Sequence, residues 1–179
     1  MKKINFIICL CISAILVSCG DDNSDERLLL TNANLQGTYQ IGAFNQIINE
    51  TATSSTGANV NLSTTTNVGD IYSLDIVINE NGTYTASGQY TLDFITKPNG
   101  SAQVTGSSII DVEDLGNFTI NSLDNTITFT PSSSLEDQFL TGTYTVVLLN
   151  STTLSLVQEA ESSNGSLNNS TKTSYSFIK

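Results

Sequence analysis

Apolar and polar residues alternate along much of the chain from residue 36 onward. The clearest alternation flanks residues 79–82. Before this connection the apolar positions are Tyr72, Leu74, Ile76 and Ile78, and after it they are Tyr84, Ala86, Tyr90, Leu92 and Phe94. Such alternation is typical of a strand with one buried and one solvated face. The pattern therefore predicts two strands joined as a hairpin.

The connection of this hairpin determines which residues face each other. Its Asn-Gly pair suggests a two-residue turn, but that register places the two apolar sets on opposite faces of the sheet. We therefore predict a three-residue loop, 80–82, with Gly82 in the left-handed conformation. The predicted pairs are then Ile78 with Tyr84, Ile76 with Ala86, and Tyr72 with Tyr90.

Two further hairpins follow from the same parity argument, namely that the number of loop residues, odd or even, must place both apolar sets on one face of the sheet. The alternating positions of the first are Phe118, Ile120, Ile127 and Phe129, joined by an even loop near 122–125. Those of the second are Tyr144, Val146, Leu148, Leu154 and Leu156, joined by a turn near 150–152. Each set predicts two antiparallel strands that share one apolar face.

The remaining segments carry a weaker pattern. Strands are predicted at 36–48, 101–110 and 175–178, and a short helical turn at 28–30 with Leu35 that closes one end of the sheet structure. Segments rich in Thr, Ser and Asn are predicted to be loops, at 49–69 and 159–172. Residues 111–116 are predicted to form an acidic turn, and 131–140 a connection that can hold a helical turn.

Eight or nine strands joined mostly by short hairpins form a meander. A long meander protects its edge strands best by closing into a barrel. We therefore predict an all-β domain over residues 35–179, folded as an up-and-down antiparallel β-barrel of about eight strands. A β-sandwich is the main alternative.

Residues 1–19 differ from the rest of the chain. The basic start Met1-Lys2-Lys3 precedes an apolar run of about a dozen residues, which is the length of a signal-peptide core and too short to span a bilayer comfortably. The run ends at Leu16-Val17-Ser18-Cys19, which resembles the bacterial lipobox. This resemblance implies that residues 1–18 are removed as a signal peptide and that Cys19 receives the lipid, with palmitate among its acyl chains. An ordinary signal peptide that ends near a cysteine is the alternative.

Residues 19–34 are predicted to be a lipidated acidic tether. Four acids lie within residues 20–26, and such runs are usually solvated. The run also resembles the acidic export signal of surface-exposed lipoproteins from Bacteroidota-type bacteria. Because two or more lipid chains hold a protein stably on a membrane, we expect a lipid-anchored protein of the outer membrane. It would be exposed at the cell surface or, alternatively, face the periplasm.

Composition narrows the classes of function. The chain has 6 basic and 17 acidic residues, and without Lys2 and Lys3 the net charge is 4 − 17 = −13. A domain this acidic repels nucleic acid. The chain has no histidine, and the mature part has no cysteine besides Cys19, which removes triad catalysis, thiolate sites and the usual zinc sites. We expect no cofactor and no enzyme activity; a carboxylate pair acting on a glycan is the one catalytic alternative.

One group of oxygen-bearing side chains raises the question of a metal. Asp111, Glu113, Asp114 and Asn117 offer the hard donors that calcium accepts. Their spacing fits no calcium loop, however. We therefore interpret the group as an acidic turn at a strand end and predict no metal site.

A set of short segments, in order along the domain, resembles the lipocalin-like domains of small Bacteroidota-type lipoproteins. The segments are Leu35-Gln36-Gly37-Thr38-Tyr39, Asn81-Gly82-Thr83-Tyr84, 116–120, 127–130, 144–146, 152–156 and 175–177. The resemblance implies a lipocalin-like barrel and a membrane-anchored location more than an activity. Lipocalins usually carry Gly-x-Trp in the first strand, whereas Tyr39 stands here and the chain has no Trp.

Aromatic residues on the apolar faces are the candidates for lining a barrel interior. They are Tyr39, Tyr72, Tyr84, Tyr90, Phe94, Phe118, Phe129 and Tyr144. Small barrels either fill their interior with side chains or hold one small ligand. The first hypothesis is therefore a lipoprotein that binds a small apolar or amphipathic ligand in the lumen, gated by the loop 49–69. The alternative is a surface interaction or structural lipoprotein with a filled core, whose loops contact a partner protein or a glycan.

Overall fold

A computed structural model describes residues 26–132 and 139–179 of the chain. The described residues form one short helix and eight strands, and each strand pairs antiparallel with the next. The elements are α1 (Asn32–Leu35), β1 (Gly37–Thr53), β2 (Asn59–Ile78), β3 (Thr83–Pro98), β4 (Val104–Asn121), β5 (Thr126–Pro131), β6 (Gly142–Leu149), β7 (Thr153–Asn164) and β8 (Leu167–Ile178). Strand β8 pairs with β1, so the sheet closes. The predicted up-and-down antiparallel barrel is confirmed, and the sandwich alternative is wrong.

The predicted hairpin registers are confirmed where parity fixed them. Ile78 lies opposite Tyr84 and Ile76 opposite Ala86. The amide of Asn79 donates to the carbonyl of Thr83 at 2.9 Å, so the loop is the three residues 80–82, and Gly82 has a φ of 86°. In the β4–β5 hairpin, Phe118 likewise lies opposite Phe129, as predicted.

The strands differ greatly in length, and this divides the barrel into two halves. Strand β4 pairs with β5 only over Gly116–Asn121, and β6 pairs with β5 only over Gly142–Thr145. We call the region where β5 and β6 take part the packed half. The other six strands continue beyond it as what we call the extension: 45–53, 59–70, 91–98, 104–115, 158–164 and 167–174.

The packed half contains most of the hydrophobic core. Its fully buried side chains include Tyr39, Tyr84, Phe129, Phe177, Leu35, Ile76, Ile127, Leu154 and Leu156. A helical turn was predicted at 28–30 with Leu35; residues 28–30 are not helical, and the turn is α1, which includes Leu35. Thr31 caps it, and the hydroxyl of Tyr39 donates to the carbonyl of Leu35 at 2.7 Å. The ammonium group of Lys179 lies 5.3 Å from the ring centre of Tyr39. No helix within the described ranges is long and apolar enough to cross a membrane.

Three segments predicted to be loops or turns are strands, so those predictions are wrong. Residues 49–69 belong to β1 and β2 except for the connection 54–58, and 159–172 belong to β7 and β8 except for 165–166. Residues 111–116 lie within β4. Residues 49–69 and 159–172 were missed because both of their faces carry mainly Thr, Ser and Asn, so no apolar alternation marks them. Residues 111–116 were interpreted as a turn because of their acidic side chains. Threonine has a high strand propensity, and pairing on both sides supplies the backbone hydrogen bonds.

Bulges interrupt the alternation at several places, and three of them change predicted positions. Between Val146 and Leu148 the register shifts, so Leu149 is buried where Leu148 was predicted. Between Asp70 and Ser73 the register also shifts, and Ile71 has a φ of 47° and is 74% exposed. The predicted Cα pairing of Tyr72 with Tyr90 is replaced by this bulge, but the two rings still stack, with centres 6.3 Å apart. The third bulge, at Gly42, is described with the cavity below.

Candidate functional site

A cavity of about 440 Å³ lies where the packed half meets the extension. Strands β1, β3, β4 and β8 form its walls, and Phe139 from the β5–β6 connection adds one side chain. The lining residues are Phe44, Gln46, Tyr90, Leu92, Ile109, Ile110, Asp111, Val112, Phe139 and Tyr175. Among these described residues, one is acidic and none is basic. Apolar side chains predominate among the lining residues, although polar and apolar atoms contribute about equally to the surface of the cavity. Apolar side chains with a few polar groups are the usual lining of a small-molecule site.

Four aromatic rings form a closed ring at the base of this cavity. Phe44 contacts Tyr90 at 5.9 Å between ring centres and Tyr175 at 5.1 Å. Phe139 completes the ring, at 5.9 Å from Tyr90 and 5.1 Å from Tyr175. Each of the four side chains keeps 6–7% of its surface exposed. Because all four line the cavity, we refer to them below as the aromatic ring set.

The segment 139–141 separates the cavity from the packed half. Phe139 and Leu140 are buried inside the barrel. The hydroxyl of Tyr175 donates to the carbonyl of Phe139 at 3.0 Å, and the hydroxyl of Tyr84 lies 3.0 Å from the carbonyl of Leu140. Two tyrosines from different strands therefore hold this segment in the interior. The predicted connection 131–140 lies partly outside the described residues, at 133–138.

A carboxylate lies buried beneath the same segment. Asp114 is 6% exposed, and its Oδ2 accepts from the hydroxyl of Tyr84 at 3.2 Å and, at 3.4 Å, from the amide of Leu140. Its Oδ1 is buried and has no hydrogen-bond partner within the described ranges. Burial, and then the charge of Asp114, raise the pKa of Tyr84 well above its ordinary value of 10. Tyr84 therefore stays protonated and acts as a donor.

A row of polar side chains crosses the inner wall just beyond the aromatic ring set. The amide of Asn67 donates to Gln46 at 2.8 Å, and the amide of Gln46 donates to Thr173 at 3.2 Å. Directly opposite residues of paired strands share a face, so these three side chains lie on the concave side together with Phe44. Gln46 lines the cavity. The row leaves amide donors and acceptors that a ligand can use.

The four oxygen donors considered for calcium do not converge. Strand β4 alternates, so Asp114 points inward whereas Asp111, Glu113 and Asn117 are on the exposed face. The described residues contain no cluster of three or more acidic, histidine or cysteine ligands. The interpretation of 111–117 as a turn is thereby replaced by a strand with one inward carboxylate. Asp111 contributes to the cavity from its rim.

The eight aromatic residues predicted to line a lumen occupy different places. Five are buried in the packed half: Tyr39, Tyr84, Phe118, Phe129 and Tyr144. Tyr90 lines the cavity. Tyr72 is half-buried beside it, and its hydroxyl accepts from the amide of Phe44 at 2.8 Å and donates to the carbonyl of Gly69 at 2.7 Å. Phe94 is half-buried further along the extension, where its ring lies against Gly106.

Several lining residues were not predicted from the sequence. Phe44 was missed because counting by twos from Tyr39 places residue 43, not 44, on the inner face, and a bulge at Gly42 reverses this. A glycine inside a strand pattern is the signal that marks such a bulge. Phe139 follows a polar stretch without periodicity, so no pattern indicated it. Val112 and Asp114 share the parity of Phe118, and that signal was present.

A second, polar groove lies on the outer side of the extension. Its volume is about 510 Å³, and its lining consists of Asn49, Thr51, Thr53, Asn59, Glu161, Ser162, Ser163, Asn168, Asn169 and Ser170. Side chains within it bond to each other: the amide of Asn168 donates to Thr53 at 3.2 Å, and Thr53 donates to Asn59 at 3.0 Å. The groove has no aromatic residue.

Comparison with protein-family models, with curated proteins and with solved structures gives no match for this chain. The barrel and the cavity are therefore interpreted from their own geometry. The predicted signal peptide 1–18 and the predicted lipidation at Cys19 lie outside the described residues, as do residues 19–25 of the predicted tether 19–34.

Proposed function

We propose that this chain is a membrane-anchored lipoprotein whose lipocalin-like barrel binds a small apolar or amphipathic ligand. The observation that supports ligand binding is the cavity above the aromatic ring set. The barrel interior is filled in the packed half and leaves about 440 Å³ in the extension. This volume lies within the range of small-molecule sites, about 300–1,000 Å³.

The composition of the cavity favours an amphipathic ligand. Leu92, Ile110 and Val112 provide aliphatic walls, and the aromatic ring set provides the base. Burial of apolar ligand surface against them is favourable by about 25 cal/mol per Å². Gln46 and its neighbours Asn67 and Thr173 supply hydrogen bonds at one side. These side chains also bond to one another, and the donors and acceptors that remain on them can bond to a polar group of the ligand.

Ligand access does not require the loop gate expected at 49–69. That segment is a paired hairpin, with Asn49 opposite Thr64 on β2 and Ser170 on β8. We propose that the ligand enters through the extension, whose inner wall carries polar side chains such as Ser63 and Glu50, bonded at 2.7 Å.

The proposed location rests on the sequence. Residues 1–18 supply the signal, Cys19 the lipid attachment site, and 19–34 an acidic tether to the outer membrane, with the barrel on the cell surface or in the periplasm. We propose a non-enzymatic role, with the membrane contacted through the N-terminal lipid. No nucleic-acid partner is expected, because the mature chain carries a net charge of 4 − 17 = −13.

Native mass spectrometry of the full-length protein, extracted gently from cells that produce it, tests this proposal. Bound mass that disappears on denaturation is the expected result. Leu92→Trp fills the cavity and should abolish the bound mass, whereas Ile95→Trp, on the outer face of the same strand, should retain it. Bound mass that persists in folded Leu92→Trp protein would place the ligand elsewhere and contradict the proposal.

The alternative, a surface interaction or structural lipoprotein, is favoured by a separate observation. The polar groove between Asn49 and Asn168 carries amide and hydroxyl groups suited to hydrogen-bonding a glycan or a polar protein surface. A glycan array with Asn49→Ala and Asn168→Ala variants tests this role. Glycan binding that these variants abolish, together with an empty cavity in mass spectrometry, would favour the alternative.

A further inference from the structure

We infer that the ligand of the cavity carries an organic cation: an ammonium head on an apolar body. This inference rests on the proposed function and specifies its ligand class. Three features of the cavity lead to it, namely the aromatic ring set, the charges around it and the position of its aliphatic walls.

The four side chains of the aromatic ring set all border the cavity. Phe44, Tyr90, Phe139 and Tyr175 follow one another around a closed circuit with ring centres 5.1–5.9 Å apart. Aromatic faces carry negative electrostatic potential and attract cations within about 6 Å of the ring centre. Sets of aromatic rings of this kind are a recurrent way to hold ammonium groups. The same negative potential would repel an anionic head group.

The charges around the cavity also favour a cationic ligand. Asp111 is the one charged residue among the described residues that line it. Lys172 lies on the outer side of the extension, where its ammonium group bonds to Glu159 at 2.7 Å. Glu50 adds a second carboxylate further along the inner wall, beside Ser63. The acidic surface of the whole chain also raises the local concentration of cations.

The aliphatic walls indicate where the rest of the ligand lies. Leu92, Ile110 and Val112 line the cavity on β3 and β4, next to Tyr90. An alkyl or alicyclic body can contact them while the head contacts the rings. The competing interpretation is that the four rings only pack against one another as core and the cavity accepts any apolar body. The head group therefore has to be varied while the body is kept constant.

Three ligands with the same chain provide this comparison: octyltrimethylammonium, octanol and octanoate. Their binding to the full-length protein is measured by titration calorimetry at low ionic strength. We expect the cation to bind about tenfold more tightly than octanol, and octanoate to bind more weakly than octanol. Phe139→Leu keeps apolar bulk but removes one aromatic ring. It should therefore weaken the binding of the cation several-fold more than the binding of octanol.

Asp111→Asn tests the contribution of charge. This variant should reduce the preference for the cation over octanol by about threefold. Glu113→Gln is the matched control, because Glu113 is two residues along the same strand and does not line the cavity. It should leave the preference unchanged.

The outcomes separate this inference from the proposed function. If octanol or octanoate binds as tightly as the cation, or if Phe139→Leu weakens all three ligands equally, the cation inference is wrong and an apolar-ligand cavity stands. If none of the three ligands binds and native mass spectrometry shows no bound mass, both the cation inference and the proposed ligand-binding function are wrong. Preferential binding of the cation that depends on Phe139 and Asp111 supports both.

Discussion

The hydroxyl of Tyr84 lies 3.2 Å from Oδ2 of Asp114 inside the barrel, between strands β3 and β4. The same hydroxyl is 3.0 Å from the carbonyl of Leu140, so one proton serves two acceptors. The other carboxylate oxygen of Asp114 has no partner among the described residues. This pair thus connects the wall of the barrel to the segment 139–141, and it does so with a charge that is only partly compensated.

Removing the two partners of this pair should have opposite effects. Tyr84→Phe leaves the carboxylate with one weak donor and should lower the free energy of unfolding by about 1–3 kcal/mol. Asp114→Asn removes a buried charge while keeping an acceptor for Tyr84, and it should leave that free energy unchanged or raise it. Chemical denaturation at neutral pH measures both. A large loss in Asp114→Asn would show that the charge itself is needed in the fold.

The buried tyrosines should make the barrel sensitive to alkali. Burial raises the pKa of Tyr144 to about 12, from an ordinary value of 10. Between these values the unfolded chain loses the proton and the folded chain keeps it, so stability falls as the pH rises, by at most about 1.4 kcal/mol per pH unit for this residue. Below pH 10 the contribution is constant.

Denaturation at pH 9 to 11 measures this effect. The free energy of unfolding should decline above pH 10, and that of the Tyr144→Phe variant should decline less steeply. The slopes are compared because removal of the Tyr144 hydroxyl can also shift the whole curve. Equal slopes in the two proteins would contradict the assigned role of Tyr144.

Glycine at position 88 is required by a close approach of two strands. Gly88 has a φ of 136°, and a Cβ atom there would overlap the carbonyl oxygen of Ser73 on β2. Gly100 also has a positive φ, 76°, but a Cβ atom would meet nothing there. Gly88→Ala should therefore cost about 3 kcal/mol or more, and Gly100→Ala about 1 kcal/mol. Thermal denaturation of both variants checks the difference, and similar losses would argue against the close approach.

Parity was a reliable guide wherever one face of a strand meets the core. It placed Ile78 opposite Tyr84 because a loop of even length would put one of the two apolar sets into water. It failed beyond bulges: one extra residue near Gly42 turns Phe44 inward, and one near Val147 buries Leu149. A bulge is set by local backbone geometry, which a pattern of apolar residues does not record.

Much of the extension, notably 49–69 and 159–172, escaped prediction for a different reason. Its strands do not border a packed core, so a residue such as Thr65 bonds across to Thr96 on the inner face while polar neighbours occupy the outer face. Strands that are polar on both faces look like loops in a sequence. The sequence therefore predicted an aromatic lining but not most of the residues that form it. Tyr90 was among the expected residues, whereas Phe139 reaches the cavity from a connection that carries no periodic signal.

Hydrogen exchange can distinguish a hairpin from a loop at 49–69. Amides at 45–50 and 63–68 pair with neighbouring strands on β1 and β2, whereas 54–58 connect them. We expect exchange in the paired segments to be at least about tenfold slower than in the connection, yet faster than in the packed half, because the extension has few buried apolar contacts. Uniformly fast exchange from 49 to 69 would contradict the paired hairpin.

Cys19 provides the test of membrane anchoring. If Cys19 carries the lipid, the protein should be recovered in the membrane fraction and should incorporate a palmitate analogue, because two or more acyl chains give durable attachment. Cys19→Ala should lose both the label and the membrane association. Cys11→Ala is the matched control, since it changes a cysteine within the predicted signal and should leave lipidation intact. Labelled, membrane-bound Cys19→Ala protein would show that the anchor lies elsewhere in the chain.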